Sequence, residues 1–505
     1  MATVRRRRRR SLIVSNTNIS LPELSLVVLI GASGSGKSTF ARKHFLPTEV
    51  LSSDFCRALV ADNENALAAT NDAFAVLHFI AGKRLAAGRL TVVDATNVQA
   101  EARKPLVALA REYHCLPVAV VLNLAERLCQ DRNRARPDRT FGPHVVRQHT
   151  QQLRRSLKGL GREGFRHVFV LSSAEEIEAV EITREPLYND KREEHGPFDV
   201  IGDVHGCGDE LEQLLAALGY VVGAARSDGS PWDGPVYAHP AGRKAIFLGD
   251  LVDRGPRVVD TLRLVLNMVE AGNALCVPGN HDMKLMRKLQ GRDVQVTHGL
   301  DATLSQIDAL PGPDREKFIP ELLAFLDSLV SHYVLDSGKL VVAHAGMRQE
   351  MQGRGSRAVR AFALHGETTG ETDDMGLPVR SNWAGDYRGQ AIVVYGHTPV
   401  LRPEWLNGTI NIDTGCVFGG RLTAVRYPER ELVSVPANHT YYEPVRPFLP
   451  AEELEPLSAQ QHDEMLDLGD VLGKRPVQTR LANSVTIREE SAIPALESEP
   501  VDPRW

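Results

Sequence analysis

Aspartate, histidine and asparagine follow short apolar runs at five places in the second half of the 505-residue sequence, in "GDVHG", "GDLVDRG", "GNHD", "AHAG" and "GHTP". Together these side chains offer the mixed oxygen and imidazole ligands that suit divalent cations such as Mn²⁺, Ni²⁺, Mg²⁺ and Fe²⁺. The pattern predicts two cations about 4 Å apart, with one bridging carboxylate and a nucleophilic water between them. We expect Asp250 to be the bridge, and the predicted ligands are Asp203, His205, Asp250, Asn280, His344 and His397.

The neighbours of these ligands indicate that the metal site removes phosphate. Arg254 in "GDLVDRG" can bind two phosphate oxygens at once. His281 in "GNHD" can protonate the leaving oxygen, and either Asp253 or Asp282 can orient its ring.

A second chemistry is indicated near the N-terminus, where "GASGSGKS" follows the apolar run Leu24 to Ile30 and precedes a helix-like stretch. In that context the string predicts a P-loop, whose backbone N–H groups surround the phosphates of a nucleotide. Lys37 is expected to reach the β- and γ-phosphates and Ser38 to bind Mg²⁺, so ATP and Mg²⁺ are the predicted cofactors. The predicted nucleotide-binding residues are Gly31, Gly34, Ser35, Gly36, Lys37, Ser38 and Thr39.

Three further residues favour a kinase over a simple ATPase. Asp54 in "SSDFCR" is placed to accept the proton of an acceptor hydroxyl, and Arg57 to hold an anionic group of the acceptor. Arg132, in the Arg-rich stretch "ERLCQDRNRARPDRT", is the predicted lid residue that closes on the transferred phosphate. The alternatives are a helix N-cap for Asp54 and a solvated face for the arginines. Asp94 either supports Mg²⁺ through water or caps the next helix.

The elements that must position these residues fall into two groups. Apolar runs from Leu24 to Ser173 alternate with helix-like stretches, which predicts a parallel sheet covered by helices. After the polar stretch "YNDKREEHGP", six strand-like runs each end in Asp, His, Asn or Gly. The predicted boundaries are a disordered Arg-rich arm at 1–18, a P-loop domain at 19–187, a linker at 188–197, a metal-binding domain at 198–445 and a C-terminal segment at 446–505.

Composition excludes some classes of protein. A formal net charge of -5 predicts no general affinity for nucleic acid, so the arm Arg5–Arg10 either contacts nucleic acid locally or is solvated. No apolar stretch approaches the roughly 20 residues of a membrane span, so we expect no membrane partner. Six cysteines lie scattered without paired spacing, which favours reduced thiols and a cytoplasmic location.

The motifs, in this order, resemble those of the bacterial RNA-repair polynucleotide kinase-phosphatases, from about Ile19 to the C-terminus. The resemblance implies an α/β fold: a P-loop kinase domain with a parallel sheet, then a metallophosphoesterase domain built as a β-sandwich flanked by helices. It implies kinase roles for Lys37, Ser38, Asp54, Arg57 and Arg132. It implies phosphatase roles for the six ligands with Arg254 and His281, and Asp413 in "NIDTG" matches a further family carboxylate.

The resemblance also implies a function, which is RNA end healing. One domain would phosphorylate a 5'-OH end from ATP, and the other, with two Mn²⁺ or Ni²⁺ ions, would clear a 2',3'-cyclic, 2'- or 3'-phosphate. A homodimer and an RNA 2'-O-methyltransferase partner are implied as well. In that family a ligase-like module follows. The resemblance implies that 446–505 is a linker and the start of an incomplete module of this kind, because "VQTRLANSVTIREE" resembles its opening segment but the sequence has no K-x-D-G motif. The sequence has two Asp-Gly pairs, Asp228-Gly229 and Asp233-Gly234, and the residues at the lysine position of the motif are Arg226 and Pro231. We therefore expect no ligase activity.

Two other hypotheses remain. The phosphatase motifs also resemble those of phosphoprotein phosphatases and dinucleoside tetraphosphate hydrolases, which would make the chain such a phosphatase fused to a small-molecule kinase. "GNHD" in place of "GNHE" disfavours the phosphoprotein substrate. The third hypothesis, an ATP-switched scaffold, is disfavoured because a scaffold needs neither a general base nor six metal ligands.

Overall fold

The computed structural model describes residues 13–14, 18–135, 142–227, 229–372 and 378–443. Arg5–Arg10 and the predicted ligase-like segment at 446–505 lie outside the described residues. Within the described ranges, no helix is both long and apolar enough to cross a membrane.

The first domain is built on a six-stranded parallel sheet with the strand order β1-β7-β6-β3-β5-β4. Every residue of the central strand, "SLVVLIG", is buried, as expected for a parallel strand that helices cover on both faces. A separate parallel pair joins β2 to β8. The strands are β1 Ile13–Val14, β2 Asn18–Pro22, β3 Ser25–Gly31, β4 Val50–Ser52, β5 Thr91–Asp94, β6 Leu116–Leu122, β7 His167–Leu171 and β8 Glu181–Glu185.

Helices of this domain connect the parallel strands, as the alternating pattern predicts. Because all strands of the sheet run in one direction, the residues that follow β3, β4 and β5 meet at one edge. The helices are α1 Lys37–His44, α2 Ser53–Ala61, α3 Thr70–Ala86, α4 Ala100–Glu112, α5 Glu126–Arg134, α6 Pro143–Leu157 and α7 Ala174–Ala179.

The second domain is a sandwich of two mixed sheets, with the orders β14-β13-β10-β22-β23 and β20-β21-β19-β16-β15-β9. An apolar layer that includes Val200, Ile246, Val342 and Val394 packs between them. The strands are β9 Asp190–Lys191, β10 Phe198–Ile201, β11 Val221–Arg226, β12 Gly234–Ala238, β13 Lys244–Phe247, β14 Ala274–Cys276, β15 His332–Leu335, β16 Leu340–Ala343, β17 Thr368–Thr372, β18 Pro378–Arg380, β19 Ile392–Tyr395, β20 Trp405–Leu406, β21 Thr409–Asn411, β22 Arg421–Tyr427 and β23 Leu432–Pro436.

Helices cover both outer faces of the sandwich. Five helices pack on the five-stranded sheet and two on the six-stranded sheet. β11 with β12 and β17 with β18 form two-stranded hairpins. The helices are α8 Gly208–Leu218, α9 Val258–Glu270, α10 Asn280–Leu289, α11 Leu300–Asp308, α12 Gly312–Ser328, α13 Arg357–His365 and α14 Trp383–Asp386. The α/β fold class and the helix-flanked sandwich are confirmed.

Residues 188–197, which the polar composition predicts to be a linker, form an ordered edge of the second domain. Strand β9 pairs in parallel with β15, and the N–H groups of Val334 and Asp336 donate to the carbonyls of Asn189 and Glu194, both at 2.9 Å. Both residues of β9 are half-buried, so an edge strand can be polar here. Backbone pairing therefore forms a strand here, although the polar composition of the segment gives no sign of one.

Arg354 of the second domain joins the two domains. Its side chain is buried and donates from Nη1 to the carbonyls of Leu85 at 3.0 Å and Tyr113 at 2.7 Å, and from Nη2 to that of Ala86 at 2.7 Å. These carbonyls lie at the C-terminal ends of α3 and α4, where the helix dipoles favour a cation. Arg354 thus adds side-chain donors to carbonyls in the last turns of both helices.

We therefore expect Arg354→Ala to lower the free energy of unfolding by roughly 2–3 kcal/mol, because charge-assisted bonds to three carbonyls, one of them fully buried, are lost. Arg357→Ala, at an exposed position three residues away, is the control and should change it by less than about 0.5 kcal/mol. Urea unfolding followed by circular dichroism measures both. Equal midpoints for Arg354→Ala and the wild type would contradict the joining role.

Candidate active sites

The loop between β3 and α1 has the backbone conformation of a phosphate-binding loop. Gly34 and Gly36 have φ values of 79° and 94°, which glycine adopts readily. A Cβ at Gly34 would lie 2.2 Å from the Cys129 carbonyl oxygen, so no larger residue fits. Lys37 Nζ donates to the carbonyls of Gly31 and Ala32 at 2.9 and 3.0 Å, which holds the ammonium at the loop.

A cleft opens beside this loop, at the carboxyl ends of β3, β4 and β5. The residues that line it are Ser33, Gly34, Gly36, Lys37, Ser38, Ser53, Asp54, Asp94, Ala95 and Thr96. The cleft therefore brings the predicted general base Asp54 and the carboxylate of Asp94 to the same space as Lys37 and Ser38. Gly31, Ser35 and Thr39 do not line it, and Thr39 is exposed on α1.

Asp54 and Arg57 act as a pair. Arg57 is 9% exposed, and its Nη1 donates to Asp54 Oδ1 at 3.0 Å and to the Glu64 carbonyl at 2.6 Å. Ser52 is the N-cap of α2, accepting from the Phe55 N–H at 3.4 Å. Asp54 thus stands in the first turn without being the cap, with Arg57 fixing its carboxylate.

Arg132, on α5, lies against the phosphate loop. A Cβ at Gly36 would come within 3.4 Å of its Nη1. The positive charges of Lys37 and Arg132 both act on the Cys129 thiol, although burial is the larger effect and raises the pKa of that thiol. The guanidinium is therefore close to the phosphate loop, and its role as a lid residue stays a prediction.

In the second domain the six predicted ligands meet around Asp250. Its Oδ2 lies 3.6 Å from His205 Nε2 and 3.5 Å from His344 Nε2. His344 Nε2 is in turn 3.0 Å from both Asn280 Oδ1 and His397 Nδ1. Two groups have ligand atoms within 4.8 Å of one another, His205 with Asp250 and His281, and His344 with Asp250 and His397. Asp250 belongs to both groups, which is the arrangement of a bridging carboxylate.

Backbone hydrogen bonds set the direction of the two imidazoles. His205 donates from Nδ1 to the Val252 carbonyl at 2.8 Å, and His344 from Nδ1 to the Leu248 carbonyl at 2.9 Å. Each ring therefore presents Nε2 to the centre of the site, as metal-binding histidines do. His205, Asp250 and His397 have φ values of 45°, 45° and 75°, a strain that is concentrated at the site.

The donor set fits divalent cations. Asp203 Oδ1 and His397 Nε2 are buried and make no hydrogen bond to any residue that the structure describes. Burial, then the negative charges of Asp413 and Asp250, raises the pKa of Asp203 well above its usual value. Burial lowers the pKa of His397 and of His205. A pair of cations would satisfy the unpaired Asp203 Oδ1 and compensate the crowded carboxylates.

Asp413 lies at the edge of this cluster. It is buried, its Oδ1 accepts from the Gly415 N–H at 3.0 Å, and burial raises its pKa to about 7. Its charge acts on Asp203 directly.

Comparisons with known proteins match both domains. A model of the calcineurin-like phosphoesterases matches residues 196–401, and an AAA domain model matches residues 26–160. An Anoxybacillus flavithermus protein named bis(5'-nucleosyl)-tetraphosphatase PrpE is 46% identical over 252 residues, which are 50% of this chain and 99% of that protein. The chain belongs to the calcineurin-like phosphoesterase family.

Two further similarities concern the phosphoesterase half. The Geobacillus thermodenitrificans protein of the same name is 48% identical over 241 residues, which are 48% of this chain and 94% of that protein. A solved protein serine/threonine phosphatase from Saccharomyces cerevisiae is 14% identical, with a TM-score of 0.31, over 48% of this chain and 80% of that one.

In the phosphoesterase domain, Arg254 and His281 lie at the metal-ligand cluster. Arg254 donates from Nη1 to His205 Nε2 at 2.6 Å and from Nη2 to His281 Nε2 at 3.0 Å. His281 Nδ1 lies 2.6 Å from Asp253 Oδ2, so of the two predicted orienting residues it is Asp253 that contacts the ring. Asp282 instead accepts from the N–H groups of Leu251 and Gly279.

Residues that the motifs do not contain support this arrangement. Thr303 Oγ1 donates to Asp253 Oδ1 at 2.8 Å, and the rings of Phe418 and Tyr442 lie 5.1 and 5.8 Å from the Arg254 Cζ. Cation–π contact with two neighbouring rings restricts the guanidinium. These residues are distant in sequence from Arg254, so no spacing signal could have identified them.

Because Asp253 fixes His281, we expect Asp253→Asn to lower kcat by about 10- to 100-fold, as loss of an orienting carboxylate does. The loss should be larger for an alkyl phosphate than for p-nitrophenyl phosphate, because a poor leaving group needs the proton more. Asp260→Asn, on the exposed side of α9, is the control. An equal loss on both substrates would contradict proton donation through His281.

Proposed function

We propose that the protein is a bifunctional phosphate-transfer enzyme, whose phosphoesterase domain hydrolyses nucleotides that carry a chain of several phosphates. The main support is the set of cationic side chains around the metal-ligand cluster. Arg254 and Lys284 act electrostatically on His298, which also feels the charge of His281. Arg287 and Arg380 act on His365, whose ring centroid is 6.4 Å from that of His397.

This distribution of charge suits a long anion better than a single phosphate group. A phosphate monoester would be held by the two metal ions and Arg254 alone. A polyphosphate extends past the reacting phosphorus, so cationic side chains farther along the chain would add to its binding. The printed name of the relatives, bis(5'-nucleosyl)-tetraphosphatase, describes such a substrate. Those relatives are matched over nearly their whole length by the phosphoesterase half.

The residues divide the reaction among themselves. Asp203, His205, Asp250, Asn280, His344 and His397 would hold two divalent cations, which would supply Lewis-acid activation and lower the pKa of a bound water. Arg254 orients the phosphate through its non-bridging oxygens. His281 Nε2 accepts from Arg254 in this structure, and it would carry the proton to the leaving oxygen once Arg254 turns to the phosphate oxygens, with Nδ1 engaged by Asp253.

A second candidate function is RNA end healing, and the acceptor side of the P-loop cleft favours it. Asp54, held by Arg57, faces the same cleft as Lys37 and Ser38, which is the arrangement needed to phosphorylate a hydroxyl. The tetraphosphatase relatives match only the other half of the chain. A substrate with a 5'-OH and a 2',3'-cyclic phosphate would use both domains.

One experiment separates the two functions. Diadenosine tetraphosphate, and an RNA with a 5'-OH and a 2',3'-cyclic phosphate, are each incubated with ATP, Mg²⁺ and Mn²⁺. We expect His205→Ala to abolish tetraphosphate hydrolysis and Lys37→Ala to leave it intact, with His239→Ala and Lys43→Ala as matched controls. RNA end healing is supported if Lys37→Ala abolishes only phosphorylation of the 5'-OH and His205→Ala abolishes only removal of the 2',3'-cyclic phosphate. An intact tetraphosphate beside a healed RNA would refute the first proposal.

The charge argument makes a separate prediction. Arg380→Ala should raise KM for diadenosine tetraphosphate about 10-fold, a loss of about 1.4 kcal/mol, because a cation beside the phosphate chain is removed. KM for p-nitrophenyl phosphate should change less than twofold. Arg292→Ala, at an exposed position after α10, is the control. Equal KM changes for both substrates would contradict a role in binding the distal phosphates.

A further inference from the structure

Three buried side chains meet beside the metal-ligand cluster without belonging to it. They are Cys207, Glu210 and Cys416, and one ligand atom of each lies within 4.8 Å of the other two. Cys207 follows the His205 loop and is the N-cap of α8, and Glu210 lies in the first turn of that helix. Cys416 belongs to the loop that precedes β22. We refer to the three residues as the Cys-Glu-Cys cluster.

Glu210 lacks the partners that a buried carboxylate needs. Its side chain is fully buried, and Oε1 accepts from the Asn438 N–H and from Tyr441 Oη, both at 2.8 Å. Oε2 is buried and accepts no hydrogen bond from any residue that the structure describes. Within the same residues, no Lys, Arg or His forms a salt bridge with it. An ionised carboxylate in such a position is unfavourable unless a cation compensates it.

We propose that the Cys-Glu-Cys cluster binds a structural Zn²⁺ ion. Two cysteine sulfurs and a carboxylate oxygen are ligands that zinc accepts, and full burial is usual at structural zinc sites. Ligand atoms around a tetrahedral zinc stand about 3.5–3.8 Å apart, so the cluster needs only a small contraction. Tyr441 Oη holds Glu210 Oε1, which leaves Oε2 as the ligand oxygen.

The sequence spacing agrees with this assignment. Cys207 and Glu210 are three residues apart at the start of a helix, as are paired ligands in many zinc sites, and Cys416 completes the set from a distant loop. The sulfur ligands distinguish the cluster from the oxygen and nitrogen ligands around Asp250. A zinc ion there would fasten the start of α8 to the loop that follows Asp413 and to the segment of Tyr441.

The first test measures metal in the full chain. We expect Asp250→Asn, which removes the bridging carboxylate of the other site, to retain one zinc per chain by elemental analysis after dialysis. Cobalt added to the metal-free chain should produce a near-ultraviolet sulfur-to-cobalt charge-transfer band. Only thiolate ligands give this band, so cobalt at the histidine and carboxylate site cannot imitate it.

Variants assign the band to the cluster. Cys416→Ser should abolish it, and Glu210→Gln, which keeps both hydrogen bonds at Oε1, should weaken zinc binding at least 10-fold. Cys276→Ala, another buried cysteine of the same domain, is the control and should retain the band. Circular dichroism verifies that each variant is folded. A wild-type chain that shows no cobalt–thiolate band, or a disulfide between Cys207 and Cys416, would overturn the proposal.

Discussion

The phosphoesterase site depends on the distance between two sheets, because its central carboxylate contacts histidines from both. Asp250 and His205 follow strands of the five-stranded sheet, whereas His344 and His397 follow strands of the six-stranded sheet. The apolar layer between the sheets therefore sets the separation of Asp250 from His344. Close packing makes that layer resistant to change, so burial of valine and isoleucine side chains fixes the geometry of polar ligands.

Packing between the two sheets also holds together a site that is unfavourable in itself. Several carboxylates and imidazoles are buried together, and the backbone of Asp250 is strained. A Cβ at Gly279 would lie 2.0 Å from Asp250 Oδ1, so only glycine lets this loop approach the carboxylate so closely. The P-loop cleft does not depend on the separation of two sheets, because its residues follow neighbouring strands of one parallel sheet. There the Lys37 ammonium donates to the neutral carbonyls of Gly31 and Ala32.

Much of this arrangement follows from the sequence, since motifs that end apolar runs must lie at the ends of strands. The parallel sheet and the strand ends that bear the six ligands could be predicted in this way, whereas the sandwich is implied only by the family resemblance. Strand β9 could not, because its two residues are polar and only backbone pairing orders them. The choice between Asp253 and Asp282 also required coordinates. Asp282 follows His281 directly, but its carboxylate turns to the backbone of the preceding loop.

Features that depend on contacts between distant segments are the ones that motifs cannot reveal. Cys207 and Cys416 have no paired spacing, yet the fold brings them together beside Glu210. Nothing in the sequence distinguishes Arg354 from a surface arginine, yet it donates to carbonyls at the C-terminal ends of two helices of the other domain. Substrate choice belongs to this class as well, because the ligands and Arg254 serve any phosphate ester. The cationic side chains of Arg287 on α10 and Arg380 on β18 lie outside the motifs, so the ligand pattern does not define the charge around the site.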